Sequence, residues 1–222
     1  MNSLRKTSLV AGLFYLLTFV SIPAPFLLYS SVRAANYIVG PGPDTPVFVG
    51  AILEIIVALA GIGSAVVLYP VVKRQGQSRA LGLVASRTLE AASITAGVVS
   101  LLSIATLRQA GVGAAGLVAG QALAAQYTWM FHLSQSFIPI LNAFLLGSLL
   151  YQSRLVPRAL PVVGFIGAAL LLAVWFAVLF GLIGQVSAPA GLAGLTIAAW
   201  EFSLGVYLTF WGFKPSPITA DM

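Results

Sequence analysis

Arg87 and Glu90 stand three residues apart in the stretch ASRTLEAAS, inside a run otherwise apolar enough to lie in a lipid bilayer. On a helix that spacing puts the two side chains within reach of each other. A charge near the bilayer centre costs about 2.5–3.5 kcal/mol on insertion scales, so charges at that depth mark ion pairs, proton relays or ligand sites. Glu54, His132 and Glu201 lie in comparable surroundings. Neither Glu54 nor Glu201 has a basic residue at helical spacing, which points to a role beyond pairing. Three carboxyls against one arginine and one histidine leave an excess of negative charge that a bound proton would relieve. The available chemistry is therefore that of carboxyls, a guanidinium, an imidazole and aromatic rings, suited to general acid–base catalysis or to a proton relay. Plainer roles compete with it: Arg87 and Glu90 also fit an inter-helix staple, and His132 a hydrogen-bonded packing residue.

The elements that must carry these residues are helices. Ser86, Glu90, Ser93, Gly97 and Ser100 recur on one helical face, as do Gly50, Glu54, Ala58, Gly61 and Ala65. Thr128, His132, Gln135 and Asn142 share a face, and so do Gly194, Ala198, Glu201 and Gly205. Small residues let helices approach closely, so the four stripes are expected to face one another. At 1.5 Å per residue, Glu54 lies roughly 12 Å from the outer edge, His132 and Gln135 roughly 8–12 Å, and Glu201 roughly 16 Å, while Glu90 lies roughly 15 Å from the inner edge. In a hydrocarbon core of about 30 Å these depths coincide between the midplane and the outer third.

Composition agrees with a bilayer setting. Of 222 residues, 59% are hydrophobic and 7% charged, far below the roughly 25% charge of a soluble domain. Six apolar runs are long enough to cross, at roughly 8–30, 46–70, 80–106, 127–151, 159–184 and 190–212. The expected fold is all-α: one transmembrane domain over 1–222, a polytopic bundle of six helices. Pro23 and Pro25 should kink or break the exit of the first helix. The run at 159–184 has no ionisable residue and should face lipid, and the Gly- and Ala-rich segment 108–126 reads as a connector, a short interfacial helix or a lid. Arg5, Lys6, Lys73, Arg74, Arg79, Arg154, Arg158 and Lys214 fall on one side of these spans, Arg33 and Arg108 on the other. Basic loops stay in the cytoplasm, which puts both termini inside, in a multi-pass protein of the cell inner (plasma) membrane.

The net charge of +6 comes from these scattered residues and forms no basic patch interleaved with aromatics, so nucleic acid is not an expected partner. There is one histidine and no cysteine. Neither a zinc site of the usual ligand set nor a bis-histidine haem fits, and Asp44 and Asp221 are peripheral and unclustered, so no metal and no cofactor is expected. No phosphate-binding glycine loop or nucleophile elbow is present.

The segments LEI on the second helix, SRTLEA on the third, YQSRLVPRALPVVGFIGA across the fourth connection and Trp-Glu on the last resemble a bacterial family of six-helix membrane proteins catalogued as a domain of unknown function. That resemblance spans nearly the whole chain and implies fold and location, not activity. In architecture the chain is also similar to the small membrane-bound terpene cyclases of meroterpenoid pathways, which use buried acids on an early and a late helix. Glu54 and Glu201 occupy such places, although the cyclases commonly have one more span and share no contiguous motif with this chain. Two functions are compatible with these residues. One is an acid-initiated cyclase or isomerase acting on a lipophilic, isoprenoid-like small molecule that enters from the membrane lipid. In it Glu54, Glu201 and Glu90 would be catalytic, and Arg87, His132, Gln135, Trp200, Phe131 and Asn142 would bind substrate. Aromatic faces near the polar level would stabilise a carbocation. The other is a proton-coupled transporter of a small solute, for which a chain of this size calls for a homodimer. A non-catalytic protein with a structural ion-pair network is a third.

Overall fold

The computed structural model describes residues 2–21, 27–32, 34, 36–40 and 42–220. Pro23, Pro25, Arg33 and Asp221 lie outside the described residues, and with them the expected kink after the first helix. The helices are α1 (Ser3–Ser21), α2 (Thr45–Val72), α3 (Gln77–Gln109), α4 (Leu117–His132), α5 (Ile138–Ser153), α6 (Ala159–Leu179) and α7 (Ala188–Phe210). A π-helical turn, Leu133–Phe137, joins α4 to α5 without a break. No strand occurs among the described residues. Five runs are long and apolar enough to cross a membrane: α2, α3, the continuous run Gly113–Ser153, α6 and α7. The protein is an all-α membrane protein.

Two boundaries differ from expectation for identifiable reasons. The segment 108–126 is not a loose connector. α3 continues to Gln109, a turn with Gly111 and Gly113 at positive φ reverses the chain, and α4 is under way by Leu117. The residues LVAGQALAAQ are mostly good helix formers, and the glycines that break the helix are confined to the turn. α6 ends at Leu179 rather than near 184, because Gly181 turns the chain at φ +70°. The π turn also has a local cause. Pro139 has no N–H for the carbonyl four residues back and its ring crowds that carbonyl, so the ladder shifts by one residue just before it.

The helices form a closed ring. α1 packs on α2, α2 on α3, α3 on α4 and α5, α5 on α6, α6 on α7, and α7 back on α1. Their outer faces carry exposed apolar side chains, among them Ile52, Ile55 and Leu59 on α2 and Val162, Ile166 and Leu170 on α6. One end of the ring is solid, filled by Leu68, Leu83, Leu146, Leu149, Leu150, Leu204 and Leu208. The described chain ends meet there. Arg5 donates to the carbonyls of Leu208 (3.0 Å) and Thr209 (2.6 Å), which the end of α7 leaves without helical partners. Ser216 Oγ donates to the Ser153 carbonyl at the turn after α5 (2.5 Å), and Arg79 at the start of α3 donates to Ser148 (3.0 Å) and Gln152 (2.8 Å).

The opposite end is clasped by Asp44, just before α2. It accepts hydrogen bonds from Arg108 (2.7 Å), Gln109 (2.9 Å) and the Tyr37 hydroxyl, and the Arg108 guanidinium lies 4.8 Å from the Tyr37 ring centre. Burial alone would push the Asp44 carboxyl up, but these donors and the arginine charge outweigh it and hold the group below its usual value.

Candidate functional site

Arg87 is the hub of the bundle's middle. It lies on α3 with its side chain 5% exposed, and Gly61 of α2 leaves room for its stem. One guanidinium nitrogen donates to Glu90, one turn further along α3, at 2.9 Å. The other donates to Glu201 of α7 at 2.5 Å and to the Tyr15 hydroxyl of α1 at 3.4 Å. The Tyr15 ring centre lies 5.5 Å from the guanidinium carbon. Asn142 of α5 donates its amide to Glu90 at 2.7 Å. The π turn sets the rotation at which α5 presents Asn142, since an extra residue in a helical turn rotates all that follows it. The guanidinium thus joins α3, α7 and α1 and serves two carboxyls, and Glu90 brings in α5 through Asn142. Glu201, which lacks a basic neighbour in its own helix, takes its cation from α3.

Glu54 belongs to a neighbouring cluster. It accepts from the Tyr127 hydroxyl of α4 at 2.9 Å and the Tyr29 hydroxyl at 3.4 Å, and the two tyrosine rings stand edge to face, 5.5 Å apart. Gly50 makes this possible, because a Cβ there would overlap the Tyr29 ring.

A cavity of about 450 Å³ fills the ring on the open side of these clusters. Glu90 and Glu201 stand on its wall, and Arg87 lies behind them. Phe19, Tyr127, Phe131 and His132 line it, as do Leu171, Val174 and Ile197. The lining runs out along α7 through Ala198, Gly194 and Gly191 to Ser187, Val186 and Gln185 in the connection after α6. The small residues of α7 have a different use from the one expected. Only Gly205 sits tight against α1, under Tyr15 and Leu16. Gly191 and Gly194 face open space, where they widen the cavity instead of drawing helices together.

Gln135 and Phe131 line this cavity, and so does His132, whose ring stacks 6.1 Å from Trp175 at an interplanar angle of 9°. Asn142 and Arg87 act on the wall through the glutamates. Glu54 reaches it through Tyr127, whose hydroxyl holds the acid while its ring lines the cavity. Trp200 is outside it: fully buried, its ring fills the space above Gly164 of α6. Its depth therefore reflects α6–α7 packing. Participants not singled out from sequence include Tyr15, Tyr29, Trp175, Phe19 and Ser187. For Tyr15 a signal existed, since a phenol in mid-span needs a polar partner inside the protein. Among the described residues no group of three or more His, Asp and Glu side chains converges on a point where a metal could sit.

Comparison with known proteins places these features in a family without assigning them an activity. The family described as a domain of unknown function (DUF4386) matches residues 10–212. No curated protein and no solved structure matches the chain. This chain belongs to the DUF4386 family.

Proposed function

We propose that this family member is a membrane-embedded enzyme that binds a lipophilic, isoprenoid-like molecule in the central cavity and rearranges it by proton transfer at Glu90 and Glu201. One observation carries the proposal: two carboxyls from different helices, bridged by a single buried guanidinium, stand on the wall of an otherwise largely apolar cavity. With one proton bound, two carboxyls and one guanidinium are electrically neutral. That proton is the reagent. One carboxyl gives it to a carbon–carbon double bond, which leaves a carbocation. A second double bond of the substrate closes on the cation, or the cation stays in place. The other carboxylate then takes a proton from the adjacent carbon and restores an alkene. The substrate is cyclised or isomerised with no net gain or loss of protons, and the site carries one proton as before. Arg87 and Asn142 hold the carboxyls in place, and the faces of Phe19, Tyr127 and Phe131 stabilise the cation. Glu54, held by Tyr29 and Tyr127, positions Tyr127.

Proton exchange with solvent gives the test. Purified protein incubated in heavy water with a panel of unsaturated prenols should return molecules carrying carbon-bound deuterium, detected by mass spectrometry. Glu201→Gln and Glu90→Gln should abolish the label. An unlabelled panel at all protein concentrations refutes the chemistry.

The alternative, proton-coupled transport, draws on one feature: the cavity is open away from the end where the described chain ends meet, and that end is packed solid. A solute counterflow signal in proteoliposomes, with no label in the heavy-water assay, would favour it.

We also infer six crossings with both termini in the cytoplasm of a plasma-membrane protein. The meeting of the chain ends and the eight basic residues expected at that end support this. The chain has no cysteine, so single cysteines report topology directly. An impermeant maleimide should label Gly184→Cys in intact cells and Ser78→Cys only after permeabilisation.

A further inference from the structure

Two buried polar atoms in the outer part of the cavity have no partner in the structure: His132 Nε2 and Ser187 Oγ. Both residues line the cavity, and His132 is only 6% exposed. A buried polar atom left unpaired is costly, so such atoms on a cavity wall mark where a ligand supplies the missing bonds. The imidazole cannot turn away to find one. Its ring is stacked on Trp175 and stands edge-on to Trp129 at 5.8 Å. With the proton of a neutral imidazole on Nδ1, Nε2 is an acceptor. A serine hydroxyl can donate as well as accept.

We propose that His132 and Ser187 form the head-group site of the substrate and that the group they take is an uncharged alcohol, not a phosphate or diphosphate. A hydroxyl donates to His132 Nε2 and accepts from Ser187 Oγ, satisfying both atoms at once. A diphosphate would need cations, and no lysine or arginine is among the described residues lining the cavity. The two glutamates at the far end would oppose it further. The distance between the two ends sets the size of the tail. Ser187 precedes Glu201 by fourteen residues along α7, about 21 Å of helix. The substrate is then a long-chain unsaturated alcohol with its head at the connection between α6 and α7 and its chain reaching Glu90 and Glu201.

This inference rests on the catalytic proposal for the same cavity, and its test separates the two. Tritiated geranylgeraniol is bound to the detergent-purified protein in a scintillation proximity assay. Unlabelled geranylgeraniol, its methyl ether and its diphosphate compete. The ether keeps the acceptor for Ser187 and loses the donor for His132. The alcohol should compete about tenfold better than the ether, the value of one hydrogen bond of roughly 1.4 kcal/mol, and the diphosphate should compete worst. His132→Phe retains the ring stacking and should bring the alcohol-to-ether ratio to about one. Ser187→Ala should weaken both by several-fold and leave the ratio in place. Both variants must elute and melt like the parent. A diphosphate that competes as well as the alcohol overturns the proposal, as does a ratio that survives in His132→Phe or a radioligand that does not bind. Glu201→Gln should keep the ratio while losing the deuterium label. A His132-dependent ratio in a protein that never labels its ligand sinks the chemistry and leaves the head-group site standing. Labelling without any alcohol preference does the reverse.

Discussion

Replacing Arg87 by methionine should be among the most damaging single changes in this protein, and removing the two glutamates as well should undo part of the damage. Methionine fills most of the stem volume beside Gly61 and Tyr15 but supplies no cation. Glu90 and Glu201 then lose their donors at 2.9 and 2.5 Å. At an effective dielectric of about 20, one pair at about 4 Å is worth about 4 kcal/mol before desolvation is counted. Desolvation takes back much of that, and breaking a buried pair by removing one partner costs about 3–5 kcal/mol overall. Glu90 keeps the Asn142 amide at 2.7 Å, which argues for the lower half of that range. In the triple variant Arg87→Met, Glu90→Gln, Glu201→Gln the uncompensated charges are gone, and neutral amides remain to bond Asn142 and Tyr15. Replacing a whole buried ion cluster is often close to neutral. Reversible unfolding in mixed micelles, followed by tryptophan fluorescence and near-UV circular dichroism, measures both. The single variant should lose roughly 3–4 kcal/mol and the triple variant no more than about half of that. A single variant within about 0.5 kcal/mol of the parent, or a triple variant worse than the single, would refute the hub role.

Other expectations follow from particular contacts. The Asp44 clasp is pH-dependent with a definite sign. A carboxyl held below its usual value stabilises the fold above that value and loses its contribution as pH falls through the lower, folded-state one. Protection factors for amide exchange in 36–40 and 42–44 should therefore hold from neutral pH downward and fall only well into acid, below the ordinary value of 3.8. In Asp44→Asn that acid step should vanish; an unchanged profile excludes the clasp. At Gly164 an added Cβ would lie 2.7 Å from the Trp200 ring. Gly164→Leu should thus cost about 1–3 kcal/mol in the same unfolding assay by forcing α6 off α7, and wild-type stability would show that the Trp200 packing is wrong.

Much of this protein was legible in one dimension because the bilayer makes few demands and makes them on every residue. Lipid requires internally bonded backbone, hence helices, and long apolar runs, hence their positions. A charge at depth is costly enough to stand out in any window, which is why Arg87, Glu90, Glu54, Glu201 and His132 could be picked out by type and spacing alone. Small-residue stripes showed which faces turn inward. None of this says which helix stands next to which. Glu54 and Glu201 look alike in sequence, yet one is held by two tyrosines and the other by an arginine on a different helix. Trp200 and Phe131 are both aromatic residues at depth, but only Phe131 meets the cavity. Gly194 and Gly205 belong to one stripe, and one opens space where the other closes it. Those distinctions depend on the order of helices around the ring and on the rotation of each one. The π turn forced by Pro139 resets that rotation for α5. Local spacing determines what a helix face carries; what that face meets is decided by packing among segments far apart in the chain, and only the tertiary structure contains that information.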